Sequence, residues 1–344
     1  MSNFPNTQTQ SPMLAFVELA SKLWINHAIG AAAKLGIADA MSHEAKSVEE
    51  IAQATETHAP SLYRLLRCLA SVGIFTEVES HSFALTPMAE FLRNDHPQSL
   101  RHLVMMHCQP WHLRFTGEQM HSVKKGEPAV KKVYQIDALY EYFDRDPEAG
   151  ELFNKGMVGL TRNYHIPLIK EYDFSGFTKV VDLAGGQGGL IAEILKANPH
   201  LQGVLFDLPQ AIEQAADFLA QQGVADRCER VGGDMFESIP AGADLYTISY
   251  TIIDCSDESA IALLSSIRRG MADNAKLLVI DSIVPTGDEF HWSKWLDLEV
   301  MTIGKGGART EAEFKEIFEK AGFEWVRTIS AGTPVSGMEL APVK

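Results

Sequence analysis

The chain has 344 residues, a hydrophobic content of 46%, a charged content of 22% and a net charge of −15, which describe a globular protein of two or three compact units. The negative charge argues against a nucleic-acid partner, because phosphate binding needs a basic face. With no long apolar run and no signal-peptide pattern, we expect a cytoplasmic protein with no membrane partner. The 4 cysteines lack metal-binding spacing, so no metal site is predicted.

The first 95 residues have the pattern of a winged helix. Apolar residues recur at helical spacing over Ala15–Met41, and Ser47 with Glu50 forms a capping box that starts another helix. A third helix over Leu62–Val72 precedes a predicted hairpin at residues 74–86. A winged helix either binds DNA or serves as a dimerisation module. The acidity of the chain favours the second interpretation and predicts a homodimer.

Residues 96–172 form a mostly helical segment that is rich in His, Met and aromatic side chains. Such side chains either fill a core or form the wall of a substrate pocket, since they present apolar area of adaptable shape. We assign this segment to a linker and pocket layer, with Trp111 and His112 as candidate substrate contacts. His107 is a candidate base.

From residue 173 to 344 the pattern alternates between strand and helix, which predicts a doubly wound Rossmann-like sheet. The predicted strands are Lys179–Leu183, Gln202–Asp207, Cys228–Gly232, Leu245–Ser249 and Leu277–Ile283. The predicted helices are Leu190–Ala197, Ile212–Gln222, Glu258–Met271 and Glu311–Ala321. Two final strands, Glu324–Ser330 and Ser336–Pro342, are spaced as an antiparallel pair.

Between the first of these strands and its helix lies Ala-Gly-Gly-Gln-Gly-Gly, residues 184–189. A turn with almost no side chains lets the backbone approach a nucleotide closely. Acidic residues stand at or just after three successive strands, as Asp182, Asp207 and Asp234. Asp207 suits ribose hydroxyls, and Asp234 with the apolar Met235 suits the amino group and face of adenine. The glycines do not match GxGxxG cleanly, which favours S-adenosylmethionine over NAD.

Several motifs resemble, in order and spacing, the S-adenosylmethionine-dependent O-methyltransferases of the caffeate and acetylserotonin type. They are Val181-Asp-Leu-Ala-Gly-Gly-Gln-Gly, Phe206-Asp-Leu-Pro, Gly233-Asp-Met-Phe, Asp254-Cys-Ser-Asp-Glu, Arg309-Thr-Glu-Ala-Glu-Phe and Ala321-Gly-Phe. The resemblance covers essentially the whole chain. It implies a homodimer with an N-terminal dimerisation domain, a Rossmann-like domain that binds S-adenosylmethionine, and small-molecule acceptors.

The resemblance also implies roles for individual residues. Asp182, Gly185 and Gly186 would line the cofactor, Asp207 and Leu208 its ribose, and Asp234 and Met235 its adenine. Thr161 falls near the cofactor's amino-acid end and Ser249 near the adenine. Met157 falls at a methionine of the substrate wall, and Trp295 lies at the sheet edge where the substrate should sit.

The chain departs from this family at the catalytic base, a His that stands directly after the fourth strand. The matching residue is Ile253, which cannot accept a proton. Of two acidic residues that usually flank that His, one matches Asp281 and the other matches Ala308. The acceptor is therefore already acidic, or Asp254, Asp281, His107, His112 or His291 serves as base, or no methyl group is transferred.

These observations predict an S-adenosylmethionine-dependent methyltransferase of a small aromatic or conjugated metabolite with an atypical catalytic centre. The methylated atom, oxygen or carbon, stays open. A rival is an enzyme that binds the same cofactor and catalyses hydroxylation, decarboxylation or a pericyclic step. A further rival is a DNA-binding regulator.

Overall fold

The structure is a computed structural model that describes residues 11–41 and 44–343. The chain forms two compact units. The first contains the described residues up to Leu113 together with Pro147–Gly159, and the second contains Arg114–Asp146 and the chain from Leu160 onward. The segment 96–172 thus contributes to both units, and its assignment to a single pocket layer stays a prediction.

The α-helices are α1 (Pro12–Leu35), α2 (Ile37–Met41), α3 (Val48–Ala54), α4 (Ala59–Ser71), α5 (Pro87–Glu90), α6 (Arg101–His107), α7 (Pro110–Thr116), α8 (Gln119–Lys125), α9 (Ala129–Tyr134), α10 (Tyr140–Phe143), α11 (Pro147–Leu160), α12 (Ile166–Glu171), α13 (Gly189–Ala197), α14 (Pro209–Gln221), α15 (Asp257–Gly270), α16 (Trp292–Ile303) and α17 (Glu311–Lys320). The strands are β1 (Lys46–Ser47), β2 (Phe75–Glu79), β3 (Ser82–Leu85), β4 (Lys179–Leu183), β5 (Gln202–Asp207), β6 (Cys228–Gly232), β7 (Leu245–Ser249), β8 (Lys276–Asp281), β9 (Phe323–Ser330) and β10 (Ser336–Pro342). A π-helical turn lies at Thr161–His165, and short 3₁₀ turns lie at Ala225–Arg227 and Ile252–Asp254. Nowhere in the described ranges is a helix both long and apolar enough to span a bilayer.

The first unit contains the predicted winged helix. The capping box that starts α3 is formed, since Ser47 Oγ accepts from the amide of Glu50 and Glu50 Oε2 accepts from the amide of Ser47, at 3.2 and 2.8 Å. Helices α1 to α4 precede the hairpin of β2 and β3, which forms a small sheet of order β1-β3-β2 with the short strand that lies between α2 and α3. The apolar face of α4 packs with Phe75 and Phe83 of the hairpin in one buried cluster. Both expectations, the helices and the hairpin, are confirmed.

The second unit is built on a seven-stranded sheet of order β6-β5-β4-β7-β8-β10-β9. The first five strands in that order pair in parallel, and β10 and β9 pair antiparallel at the end. Two clusters of buried apolar residues enclose the sheet, which is why its central strands read as apolar runs. The order reverses between β4 and β7, and ligands of such sheets bind beyond the carboxyl ends of the strands at this point.

Two local features differ from the sequence-based expectation. Strand β8 ends at Asp281 rather than Ile283, because the amide of Ser282 donates to the Asp281 side chain at 2.7 Å instead of continuing the ladder. Helix α16 was not predicted, since its Trp, Thr, Val and Ile residues are weak helix formers. Tertiary packing against α8 and α9 stabilises it.

Candidate active site

The glycine turn after β4 brings main chain close to the sheet edge. Gly186 and Gly188 adopt positive φ angles of +57° and +88°, which few other residues tolerate. A Cβ at Gly185 would lie 2.5 Å from Leu205 Cδ1 and 2.6 Å from Asp182 Oδ2. The turn at Gly185, called the glycine cradle below, therefore packs closely on Leu205 and Asp182, and a Cβ there would force these side chains to move.

Asp182 lies at the end of β4 and is 1% exposed. Its Oδ1 accepts a hydrogen bond of 2.7 Å from Thr247 Oγ1, whereas its Oδ2 is buried and has no partner among the described residues. Burial raises the pKa of this carboxyl to about 7, and the nearby charge of Asp207 acts in the same direction. A buried oxygen without a partner is costly, so this side of the turn suits a cationic ligand group.

Asp207 ends β5 and organises the glycine turn from the next strand. Its Oδ2 accepts from the amide of Gly186 and its Oδ1 from the amide of Leu208, both at 2.7 Å. The Leu208 side chain is 56% exposed. The Asp207 carboxylate therefore links the end of β5 to the glycine turn that follows β4.

Asp234 and Met235 follow β6, the third strand on this side of the sheet. Asp234 is exposed and its Oδ1 accepts from the amide of Phe236 at 2.8 Å. Met235 is half-buried and packs against the main apolar cluster of the sheet. A Cβ at Gly233 would lie 2.8 Å from the ring of Phe206, so the main chain passes directly over that ring.

Thr161 and Ser249 lie on the other side of the turn. Thr161 opens the π-helical turn, and its Cγ2 lies 3.8 Å from where a Cβ of Gly189 would be. Ser249 ends β7, and its Oγ lies 3.2 Å from Nδ1 of His165. Burial lowers the pKa of His165 to about 4, and its Nε2 has no partner within the described ranges. Sequence reasoning missed His165, because a single histidine in a helix carries no pattern.

Main-chain hydrogen bonds hold the turn that contains Ile253. Ile253 is 3% exposed, its amide donates to Asp281 Oδ2 at 3.1 Å, and its carbonyl accepts from the amide of Gly307 at 2.8 Å. The guanidinium of Arg309 donates to the carbonyls of Ile252 and Cys255 at 2.9 and 2.7 Å. These bonds fix the backbone of the turn that follows β7.

Asp281 supports this turn and is fully buried. One of its oxygens accepts from Ile253 and the other from the amide of Ser282. Burial raises its pKa to about 7. Both oxygens are engaged by backbone, unlike those of Asp182.

Asp254 follows Ile253 and presents a carboxylate at the same strand end. The hydroxyl of Tyr140 donates to its Oδ2 at 2.9 Å, and the described residues give its Oδ1 no hydrogen bond. Burial raises its pKa to about 6. Asp254 does not cap the helix that follows it, because Ser256 caps α15 by accepting from the amide of Ser259.

His291 forms hydrogen bonds at the start of α16. Its Nδ1 accepts from the amide of Ser293 at 3.3 Å and lies 2.7 Å from Ser293 Oγ, which makes it the N-cap of the helix. Trp295, one turn further, is 56% exposed and lies against Phe290 with a ring separation of 6.2 Å.

The remaining predicted residues lie in the first unit. The ring of His112 is 5.1 Å from that of His107 and 5.6 Å from that of Trp111. Trp111 and His112 are buried, and Met157 of α11 is half-buried. Their roles at the acceptor stay predictions.

A glycine cradle beside three acidic strand ends defines an enzyme class that binds an adenosyl ligand at a Rossmann-like sheet. Residues 118–324 match the model of the O-methyltransferase domain, and residues 17–95 match that of the O-methyltransferase dimerisation domain. The chain therefore belongs to the O-methyltransferase family, as its motifs indicated, and is an S-adenosylmethionine-dependent methyltransferase. The orphaned Asp182 oxygen and the cradle at Gly185 fit this cofactor.

Relatives and solved structures cover nearly the whole chain. Phenazine O-methyltransferase of Lysobacter antibioticus is 36% identical over 95% of this chain and 95% of its own. An 8-amino-8-demethylriboflavin N,N-dimethyltransferase of Streptomyces davaonensis is 33% identical over 88% and 87%. The S-adenosylhomocysteine-bound structure of CalO1, a methyltransferase in calicheamicin biosynthesis, is 30% identical with a TM-score of 0.88 and covers 97% and 100% of the two chains.

Proposed function

We propose that this enzyme transfers a methyl group to a small hydroxylated aromatic metabolite of secondary metabolism. The names of its relatives support this acceptor class, since they specify a phenazine in one case and a riboflavin derivative in another. The same names give oxygen as the methylated atom in the phenazine enzyme and nitrogen in the riboflavin enzyme. The proposal of oxygen for this enzyme therefore rests on the residues of its own site.

The cofactor is held along the edge formed by β4, β5, β6 and β7. Asp182, the turn at Gly185 and Gly186, and Thr161 take its amino-acid end, and Asp207 with Leu208 takes the ribose. The adenine lies by Asp234, Met235 and Ser249. The support for these roles is the shared edge, the orphaned oxygen of Asp182 and the cradle that excludes a Cβ.

The observation that carries the proposed chemistry is the free oxygen of Asp254 beside Ile253. The cofactor supplies an electrophilic methyl group on a sulfonium. A bond from the acceptor oxygen to the methyl carbon forms as the carbon–sulfur bond breaks toward sulfur, and the acceptor proton passes to Asp254. Asp281 is less suited to this role because backbone amides engage both its oxygens, and His291 caps a helix. His107 stays an alternative base.

A carboxyl with a pKa near 6 is a far weaker base than the phenolate of an ordinary phenol of pKa ~10, so it removes the proton of such a phenol only at a large energetic cost. The acceptor is therefore an acidic hydroxyl, conjugated to a ring system that stabilises the anion. Positioning of the two reactants supplies much of the remaining rate.

The enzyme acts as a homodimer through its first unit. Helix α1 exposes a set of large apolar side chains, each more than half accessible: Met13, Phe16, Val17, Leu19, Leu23 and Trp24. Such a continuous apolar face on a monomer is unusual and marks an association surface. The match to a dimerisation domain supports a second copy of the chain as its occupant.

The test is incubation with methyl-labelled S-adenosylmethionine and either 1-hydroxyphenazine or a small-molecule extract of the host. Label in one discrete product, located on oxygen by mass spectrometry, is the expected result, and Asp254→Asn is expected to reduce its rate. A metabolite that changes in a cofactor-dependent way without gaining label contradicts the proposal. It supports a non-methylating enzyme of the same fold.

A further inference from the structure

Tyr140 lies 114 residues before Asp254 in the chain, yet its hydroxyl donates the one hydrogen bond that the Asp254 carboxylate receives from the described residues. The residue is 54% exposed, so burial does not explain its position. The charge of Asp254 and, less strongly, that of Asp207 raise the pKa of the Tyr140 hydroxyl.

Backbone hydrogen bonds and a buried side chain hold helix α10 in this place. The amide of Leu139 donates to the carbonyl of Ile303 at 2.9 Å, and Leu139 itself is buried. Glu141 Oε1 accepts from the amides of Asp137 and Ala138 at 2.9 and 3.1 Å. The hydroxyl of Tyr140 is thus delivered by an anchored segment and not by a freely moving loop.

The backbone of Asp254, the hydrogen-bond partner of Tyr140, is also held in place. The main chain on both sides of Asp254 is fixed by Arg309, Gly307 and Asp281. A carboxylate on a fixed backbone still rotates about its side-chain bonds, and a hydrogen bond to one oxygen removes that freedom. The second oxygen, Oδ1, then has a defined position.

We propose that Tyr140 is a positioning residue of the methyl-transfer site, which fixes the Asp254 carboxylate so that Oδ1 meets the proton-bearing atom of the acceptor. This inference rests on the proposed function for its catalytic consequence. Its structural part, the coupling of Tyr140 to Asp254, is testable without any acceptor.

The electrostatics agree with this role. The hydrogen bond from Tyr140 lowers the pKa of Asp254 against the larger effect of burial. Among neighbouring groups, Cys255 and Asp281 interact with the charge of Asp254, and Arg309 acts on both of these. Because none of these three donates a hydrogen bond to Asp254, loss of the Tyr140 hydroxyl raises the pKa of Asp254 further.

The acceptor-free experiment is a carboxyl ¹³C NMR titration of the full-length protein and of Tyr140→Phe, with the Asp254 signal assigned from Asp254→Asn. A higher Asp254 pKa in Tyr140→Phe is expected. Tyr142→Phe is the matched control, since Tyr142 lies on the same helix as Tyr140 but donates its hydroxyl to a different carboxylate, that of Asp146, at 3.3 Å. An unchanged Asp254 pKa in Tyr140→Phe overturns the inference, whether or not the enzyme methylates any probe.

The kinetic experiment measures kcat/KM against pH with 1-hydroxyphenazine. Tyr140→Phe is expected to lose about 10-fold at pH 6 and to shift the acid limb to higher pH, whereas Tyr142→Phe keeps both values. Binding of S-adenosylhomocysteine by calorimetry is expected to be the same in all three proteins. Equal losses in the two variants, or an unshifted acid limb, contradict a positioning role. Absence of methyl transfer in the parent protein instead refutes the proposed function, and the NMR result then decides the inference separately.

Discussion

The two halves of the sheet edge in the second unit use their acidic residues in different ways. At the ends of β4, β5 and β6, the carboxylates surround a glycine turn, and one buried oxygen of Asp182 is without a partner in the described chain. At the ends of β7 and β8, Asp281 gives both oxygens to backbone amides and Arg309 clamps the adjoining carbonyls. Asp207 of the first half also accepts from two backbone amides, so the feature that distinguishes this half is the buried Asp182 oxygen, which suits a ligand. The second half mainly holds its own main chain.

This difference bears on how each half responds to substitution. Backbone bonds, and not the side chain of residue 253, maintain the turn after β7, so a change of that side chain should leave the turn in place. The cofactor half is less tolerant at Gly185 and Gly188, where a Cβ would lie 2.5 and 2.9 Å from the nearest leucine side chain. The two halves should therefore respond to mutation independently.

The largest expected effect is in the cofactor half. Gly185→Ala places a Cβ against Leu205 and Asp182, and we expect affinity for S-adenosylhomocysteine to fall at least about 100-fold, as measured by calorimetry. Gly176→Ala is the control, because a Cβ there meets nothing within 4 Å. Retained affinity in Gly185→Ala would show that the turn does not bind the cofactor.

The second prediction tests whether the turn after β7 can be disturbed without loss of cofactor binding. A Cβ at Gly306 would overlap the carbonyl oxygen of Ile253, so Gly306→Ala displaces the turn after β7. We expect methyl transfer to 1-hydroxyphenazine to fall about 100-fold with cofactor affinity nearly unchanged. Gly304→Ala, two residues away with open space around it, should keep both activities. A parallel loss of cofactor affinity in Gly306→Ala would break the distinction between the halves.

A third prediction compares two buried carboxyls whose pKa values both lie near 7. If the free oxygen of Asp182 binds the cofactor's ammonium, its ionisation favours binding, and affinity for S-adenosylhomocysteine rises about 10-fold from pH 6 to pH 8. Asp182→Asn should flatten this dependence, measured by calorimetry at several pH values. Asp281→Asn should preserve it, because Asp281 is occupied by backbone. A flat profile in Asp281→Asn, or an unchanged slope in Asp182→Asn, contradicts the comparison.

The sequence predicted the fold and the cofactor half well for a physical reason. Strands β4 to β7 are buried on both faces and therefore read as apolar runs, and the glycine turn and acidic strand ends are local patterns. The acceptor half depends on partners far apart in the chain. Nothing near Tyr140 indicates that it meets Asp254, and nothing near Thr247 indicates its bond to Asp182. His291 read as a candidate base, although its neighbour Ser293 makes it a helix cap.

The smallest expected effect concerns the missing base itself. Ile253→His introduces an imidazole on a turn whose backbone is already fixed, so the turn should keep its path while a buried polar ring lowers stability by about 1–2 kcal/mol. We expect methylation of 2-naphthol, a phenol of ordinary acidity, to rise about 3-fold relative to 1-hydroxyphenazine, because a second base beside the acceptor helps the less acidic hydroxyl most. Ile252→His is the control, since Ile252 is equally buried in the same turn and should lose stability without this gain. Equal behaviour of the two variants would mean that residue 253 does not face the acceptor, and the absence of a histidine there would no longer explain the preference for acidic hydroxyls.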